Sequence, residues 1–373
     1  MKTRAVWGRA VRHNTNHTVR SGSFKMKLRS ILSGASAFAM LCVGAGTAKA
    51  DGELFFYNWS NYFPPELFEK FEKETGIKVT LDVYDSNETM LAKLQAGASG
   101  YDIVVASDYM VDVMIKEKLA TEFDAKNLEN FNNVAKPHDT MKYDPERKYS
   151  VTYLWGTTGF TYDSAVAKEK LDDSWKEFFE PREEFRGKIG ALNDEVEMYA
   201  AAAYYAGVDK CTEDPKEAQQ ILDILQKQKP YVAVYSSEGT IDRMAAKEVS
   251  MHMQWNGASH RTKESLNSAV FVYPKEGLSF WSDHFIIPTG APDFENAKTF
   301  INWMMQPENA AAASNYTGYM NGIKGSDAYL DAALKADPAV NMPEKYADRL
   351  VAGKNCTPKG RDLRNRVWTK LKS

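Results

Sequence analysis

The chain has 373 residues, 43% of them hydrophobic, with 47 Lys/Arg against 50 Asp/Glu and a formal net charge of −3. Nine of the basic residues and none of the acids fall within residues 1–50, so the remainder carries a formal −12. That excess of acid argues against nucleic acid as a partner and suits cationic ligands, although solubility alone explains a negative chain equally well.

Residues 1–25 are basic and polar, with no apolar period. From Met26 the chain reads "MKLRS", then "ILSGASAFAMLCVGAG", then "TAKA". A basic start, an apolar middle and a small-x-small site predict a secretory signal peptide that starts at Met26 and is cut after Ala50, the alternative being that residues 1–25 are a genuine N-terminal extension. No other apolar run reaches the ~18 residues that a membrane span needs. The 323 residues left after cleavage suggest two domains. Cys211 and Cys356 both survive processing, and in an oxidising compartment they could pair, but their spacing does not decide it. His138, His252, His260 and His284 show no metal-ligand spacing and read as structural.

"ELFFYNW" is a short apolar run and predicts a strand. Pro65 suits the first turn of a helix whose apolar face is Leu67, Phe68 and Phe71, and Gly76 is placed to stop it. "IKVTLDVYD" predicts a second strand, Ser86 or Asn87 a cap for the next helix, and "YDIVVAS" a third strand followed by a helix through Met114 and Ile115. This β-α-β-α-β order implies a parallel sheet with helices on both faces. After "TYLWGTTGF" a second α/β stretch begins. "KIGALND" reads as a strand, "EVEMYAAAAYYAG" and "PKEAQQILDILQKQ" as helices, and "YVAVY", "VSMHMQW", "AVFVYP" and "FWSDHFIIP" as strands. "WNGASHR" opens a helix, "FENAKTFINWMMQ" and "NAAAASNYTG" are helical, and "GRDLRNRVWTKLKS" is a basic terminal helix.

Ligands of open α/β sheets bind beyond the carboxyl ends of the strands. In the first half those ends carry Trp59, Ser60 and Tyr62, then Ser86, then Ser107 and Tyr109. In the second half Asp194 and Glu197 lie three apart at a strand-to-helix turn, Trp255 stands at a strand end, and Trp281 and Asp283 are two apart and share a side if extended. Asp194 has a plainer explanation as a helix cap. Together, indole and phenol faces attract cations and pack on methylenes, and carboxylates hold ammonium groups by charge-assisted hydrogen bonds. A ligand with spaced ammonium groups on an aliphatic linker needs both kinds of wall.

At these residues the chain resembles the periplasmic polyamine-binding proteins of bacterial ABC transporters, the spermidine/putrescine group. The stretches that carry the resemblance are "YNWSNY", "YDSNETMLAKL", "YDIVVASDYMVDVM", "YLWGTTGF", "QWNGAS", "YPKEGLSFWSDHFIIP" and "RVWTKLKS". It implies a type II periplasmic-binding-protein fold, α/β in class, with two α/β lobes joined by crossing strands: 51–156 plus 282–325 as lobe I, and 157–281 plus 326–373 as lobe II. It implies an exported, periplasmic monomer that takes a polyamine and a membrane permease as partners, with no cofactor. Trp59, Trp281 and Trp255 would be aromatic walls, and Ser60, Tyr62, Ser107 and Tyr109 polar contacts. Asp283 would hold a terminal ammonium, Glu197 and Asp194 the distal or internal amines, and Tyr319 in "TGYMNG" would close the pocket. Asn61 and Ala258 depart from the pattern where other members place an acid, so spermidine, putrescine and a related amine all stay open.

An enzyme would need a nucleophile, metal or phosphate motif; no Gly-x-Ser-x-Gly elbow, His-Glu-x-x-His or P-loop occurs, so catalysis is not expected. A ferric-ion binder on the same fold often uses neighbouring tyrosines, but Tyr204-Tyr205 lies mid-helix and reads as packing. An amine-sensing receptor, or a binder of an opine-like amine, would show a similar site.

Overall fold

The computed structural model describes residues 52–97 and 100–373; the predicted signal segment, residues 1–50, lies outside the described residues. The first half opens with β1 (Gly52–Trp59), α1 (Pro65–Thr75), β2 (Ile77–Tyr84), α2 (Asn87–Gln95), β3 (Ile103–Ser107) and α3 (Asp108–Lys116). The boundaries follow from the chain's own signals. Pro65 sits where its missing N–H costs nothing, and Gly76 ends α1 in the left-handed region at φ 81°. Ser86 caps α2, its side chain accepting from Thr89 N at 3.1 Å. β1 pairs in parallel with both β2 and β3, Trp59 opposite Tyr84 and Phe56 opposite Ile103.

The chain continues through β4 (Ser150–Asp163), α4 (Lys176–Phe179), β5 (Ile189–Ala191), α5 (Glu195–Ala206), α6 (Pro215–Gln228), β6 (Val232–Tyr235), α7 (Thr240–Ala245), β7 (Met251–Trp255), α8 (Asn256–Ser265) and β8 (Ala269–Val272). It closes with β9 (Leu278–Ile286), α9 (Phe294–Met304), α10 (Pro307–Thr317), β10 (Met320–Asn321), α11 (Ala332–Ala336), β11 (Leu350–Ala352) and α12 (Pro358–Lys372).

The described strands form one eleven-stranded sheet with the main path β2-β1-β3-β9-β4-β7-β5-β6. The opening strands β2, β1 and β3 are parallel, as the β-α-β-α-β order implies, β5 is parallel to β6 and β7, and β11 to β9, but the middle of the main path is antiparallel. β9 is antiparallel to β3, and β4 is antiparallel to β9 and to β7. The physical reason is that β4 and β9 are crossovers, carrying the chain from one half to the other and back, so they must run oppositely. β4 is buried along almost its whole length, as a central strand covered on both faces should be.

Apolar side chains gather in two main cores. One joins Phe56, Phe71, Phe285 and Phe300 of β1, α1, β9 and α9 with Phe63 of the β1–α1 loop; the other joins Phe160, Trp175, Phe178, Phe185 and Ile221 around β4, α5 and α6. Full burial of each such phenylalanine contributes about 2–3 kcal/mol. Trp255 packs against both cores. Residues 330–340 also touch both halves: Leu330 and Leu334 pack with Ala311 of α10, while Asp337 meets His260 Nδ1 of α8 at 2.8 Å. Cys211 and Cys356, 145 residues apart, are joined in a disulfide.

Candidate functional site

A cavity of about 130 Å³ opens over the middle of the sheet, and the eleven residues expected to meet a ligand line it; Ser86, also placed on the strand-end rim, does not and serves instead as the cap of α2. Trp59, Ser107 and Trp255 come from strand ends, as expected. Trp281 and Asp283 do not: they lie inside β9, because the cavity sits over a crossing strand rather than beyond a strand terminus. Tyr109 stands in the first turn of α3 rather than in a loop.

Asp283 is the best-defined anchor. It lies opposite Ser107 in the β3–β9 register, and Ser107 Oγ donates to its Oδ1 at 2.7 Å. Tyr62 Oη donates to its Oδ2 at 2.9 Å. Burial raises its pKa to about 7, and the two hydroxyl bonds pull against that rise. Asn87 holds the neighbouring donors in place, its Nδ2 donating to Ser107 Oγ at 3.1 Å and to Tyr109 Oη at 3.0 Å. Tyr109 Oη donates in turn to Glu88 Oε1 at 3.3 Å.

The aromatic wall is closely packed. Tyr62 and Trp281 each meet Tyr319 nearly edge-on, with ring centroids at 5.5 and 5.2 Å, and Trp59 tilts against Tyr84 at 4.5 Å. Trp281 Nε1 donates to Thr158 Oγ1 at 3.2 Å. Its ring packs against Gly156 of β4, where a Cβ would come within 2.8 Å of the indole. Trp255 completes the wall beside the second half.

Asp194 and Glu197 stand at the N-terminus of α5. Asp194 caps the helix, accepting from Val196 N at 2.9 Å and Glu197 N at 3.0 Å, so the plain structural role and exposure to the cavity coexist. Burial, and then the nearby Glu197, raises the Asp194 pKa to about 7. Glu197 is also raised, by burial first, with Ser279, Lys210 and Thr158 opposing. Its Oε2 is buried without a partner, as are Trp59 Nε1 and Ser237 Oγ on the same wall. Buried polar atoms left unpaired are costly, and each is an opening for a ligand's donor or acceptor.

Several lining residues had not been singled out. Asp108, between two predicted contacts, is half-buried, and loss of contact with water raises its pKa to about 6. Its place in "ASDYM" was the available signal. Lys210 and Arg364 bring cations into the wall. Arg364 Nε meets Glu195 Oε1 at 3.1 Å and its Nη2 lies 3.9 Å from Glu88 Oε1, linking α12 to α5 and α2. Nothing in the spacing of the terminal basic helix marked Arg364 as a cavity residue.

Residues 66–343 match the family model described as bacterial extracellular solute-binding protein. The chain belongs to this family. Among its curated relatives, it is 36% identical over 286 residues to the spermidine/putrescine-binding periplasmic protein of Escherichia coli (strain K12), covering 76% of this chain and 82% of that one. It is 33% identical over 347 residues to the putrescine-binding periplasmic protein SpuD of Pseudomonas aeruginosa (strain UCBPP-PA14), covering 88% and 95%. A solved structure, the putative spermidine/putrescine ABC transporter from Listeria monocytogenes, superposes with a TM-score of 0.81 at 28% identity, covering 86% of this chain and 98% of that one. Both curated relatives are named as periplasmic binding proteins, and the chain has the two-lobed α/β solute-binding fold, as expected from the motifs. No helix among the described residues is long and apolar enough to cross a membrane.

Proposed function

We propose that this solute-binding protein captures a polyamine, spermidine or putrescine or a related amine, between two lobes and delivers it to the permease of an ABC transporter. The observation that carries the reading is the arrangement of acids and indoles in one cavity. Asp283 is held by uncharged hydroxyls, Glu197 has an oxygen without a partner, and Trp59, Trp255 and Trp281 stand with them. Ammonium groups satisfy such carboxylates, and indole faces accept the methylenes between them. The names of the relatives support the same ligand class.

In this reading lobe I comprises 51–156 plus 282–325 and lobe II 157–281 plus 326–373; the two separate apolar cores support the division. The amine draws the lobes together because each contributes contacts that the open form lacks. The protein works as an exported monomer cut after Ala50. It neither catalyses a reaction nor binds nucleic acid. All eleven predicted lining residues are assigned to the ligand site.

The test is isothermal titration of residues 51–373, unfolded and refolded to strip carried ligand, against putrescine, cadaverine, spermidine, spermine, agmatine and acetylated amines. Micromolar or tighter binding of one of them is expected. Absence of heat with every member of the panel overturns the amine reading.

A further inference from the structure

β11 lies parallel to β9, with Val351 opposite Ser279 and Ala352 opposite Phe280. The chain then crosses to α12, and on the way Gly353, Lys354 and Cys356 form part of the cavity wall. The two flanks of this strap are held differently. Toward the α5–α6 connection the hold is dense: the Cys211–Cys356 disulfide, Lys354 Nζ to Asp209 Oδ2 at 2.8 Å, Lys210 Nζ to Ala352 O at 3.1 Å, and Thr357 Oγ1 to Glu213 Oε1 at 2.6 Å. Toward the first half it is wholly non-covalent. Asn355 Nδ2 donates to Asp112 Oδ2 at 2.8 Å, and Tyr143 Oη donates to Gly353 O at 3.3 Å while accepting from Asn355 N at 3.3 Å. Gly353 packs so closely on the Asp108 carboxylate that a Cβ there would lie 2.2 Å from Oδ1.

We propose that the strap Leu350–Thr357 is a positioning element for the bound ligand, and that the Cys211–Cys356 disulfide holds this wall in its binding geometry. The proposal rests on the amine-binding reading above. The bridge acts on both sides of the wall: Lys210 precedes Cys211 and itself lines the cavity, close to Glu197 and Asp108, whose charges it feels. A strap freed from the bridge has to be ordered each time the cleft closes, and the freedom lost is subtracted from the ligand's binding energy. The non-covalent flank is the one that releases when the halves part, so the strap travels with the α5–α6 connection.

The experiment compares wild type with the Cys211→Ser/Cys356→Ser double variant. Putrescine and spermidine are titrated calorimetrically at a temperature where circular dichroism shows both proteins folded. Hydrogen exchange of residues 350–357 is read without ligand. The expected result is a Kd weakened roughly tenfold, with faster exchange confined to the strap. A bridge that only stabilises the fold lowers the melting temperature and leaves Kd unchanged; that result overturns the proposal. If the double variant does not fold, Asn355→Ala with Tyr143→Phe loosens the other flank and keeps the disulfide. Weaker binding is expected there, and unchanged affinity overturns the proposal. If wild type binds neither amine, the amine reading falls by itself, and the strap is judged by exchange alone: unchanged protection without the disulfide, or with the second variant's flank loosened, overturns it.

Discussion

Around Asp283 the hydrogen-bond donors are uncharged, the hydroxyls of Tyr62 and Ser107; around Asp194 and Glu197 the surroundings are charged, with Lys210 and Arg364 acting on them from α12 and the α5–α6 connection. The same residue type therefore does two jobs. Asp283 is buried with only hydroxyl donors on its carboxylate, and in the proposed reading its cation comes from the ligand. Asp194 and Glu197 belong to a network that already contains its own cations and two backbone donors at a helix N-terminus. A ligand ammonium at Asp283 supplies what the protein withholds. One at the other end competes with residues already present, so ligand charge should count for more at the first end than at the second.

The largest expected effect follows directly. Asp283→Asn should weaken amine binding by about 2–5 kcal/mol, since it removes one partner of a buried hydrogen-bonded charge pair. Glu197→Gln should cost less, about 1.5 kcal/mol, because the amide keeps an acceptor where the internal cations had shared the charge. Both are read by calorimetric titration at pH 8. Equal losses would break the comparison, and a larger loss at Glu197 would reverse it.

Much of this site was legible because its residues sit where chain direction changes. Trp59, Ser107 and Trp255 close their strands, and Asp194 opens α5, so pattern alone located them. Trp281 and Asp283 were found by chemistry and alternation, but their position inside β9 was not. A strand crossing between halves is buried on both faces and carries no signal of where a cleft will cut it. β4 was likewise not read as a fourteen-residue strand: it is covered on both faces, and its Gly156 and Gly159 break any apolar alternation. Lys210 and Arg364 were invisible for a different reason. They reach the cavity through a disulfide spanning 145 residues and through the docking of α12 on α5 and α6, which no local pattern encodes.

Protonation tests both ends at once. Burial holds Asp283 and Asp194 at about 7, well above the ordinary 3.8, and also raises Glu197. A carboxyl whose folded pKa is raised binds protons more tightly in the folded chain than in the unfolded one. These groups therefore make the ligand-free protein less stable as pH rises from about 4 to about 7. A cationic ligand binds the ionised forms, so affinity should rise over the upper part of that range, by roughly tenfold between pH 6 and pH 8. Ligand-free melting temperature falling while affinity climbs is the expected pair of curves, measured by scanning calorimetry and titration in matched buffers. Affinity that is flat across this interval would mean that the carboxylates are already ionised or do not meet the ligand.

The smallest effect separates the two ends most finely. Ser107→Ala removes one of the two hydroxyls that stabilise ionised Asp283 and leaves Asp194 and Glu197 untouched. One such hydrogen bond contributes about 1 kcal/mol, so the midpoint of the affinity curve should move upward by roughly 0.7 of a pH unit. At pH 8 the loss in affinity should be slight, and at pH 6 it should be plain. A matching change at the second end, Asp194→Asn, removes the cap of α5 as well as a charge, and should lower melting temperature at every pH. Asp283 is tuned by neutral donors and Asp194 by its duty to a helix; a pH-dependent defect in the first variant with a pH-independent one in the second would follow from that difference.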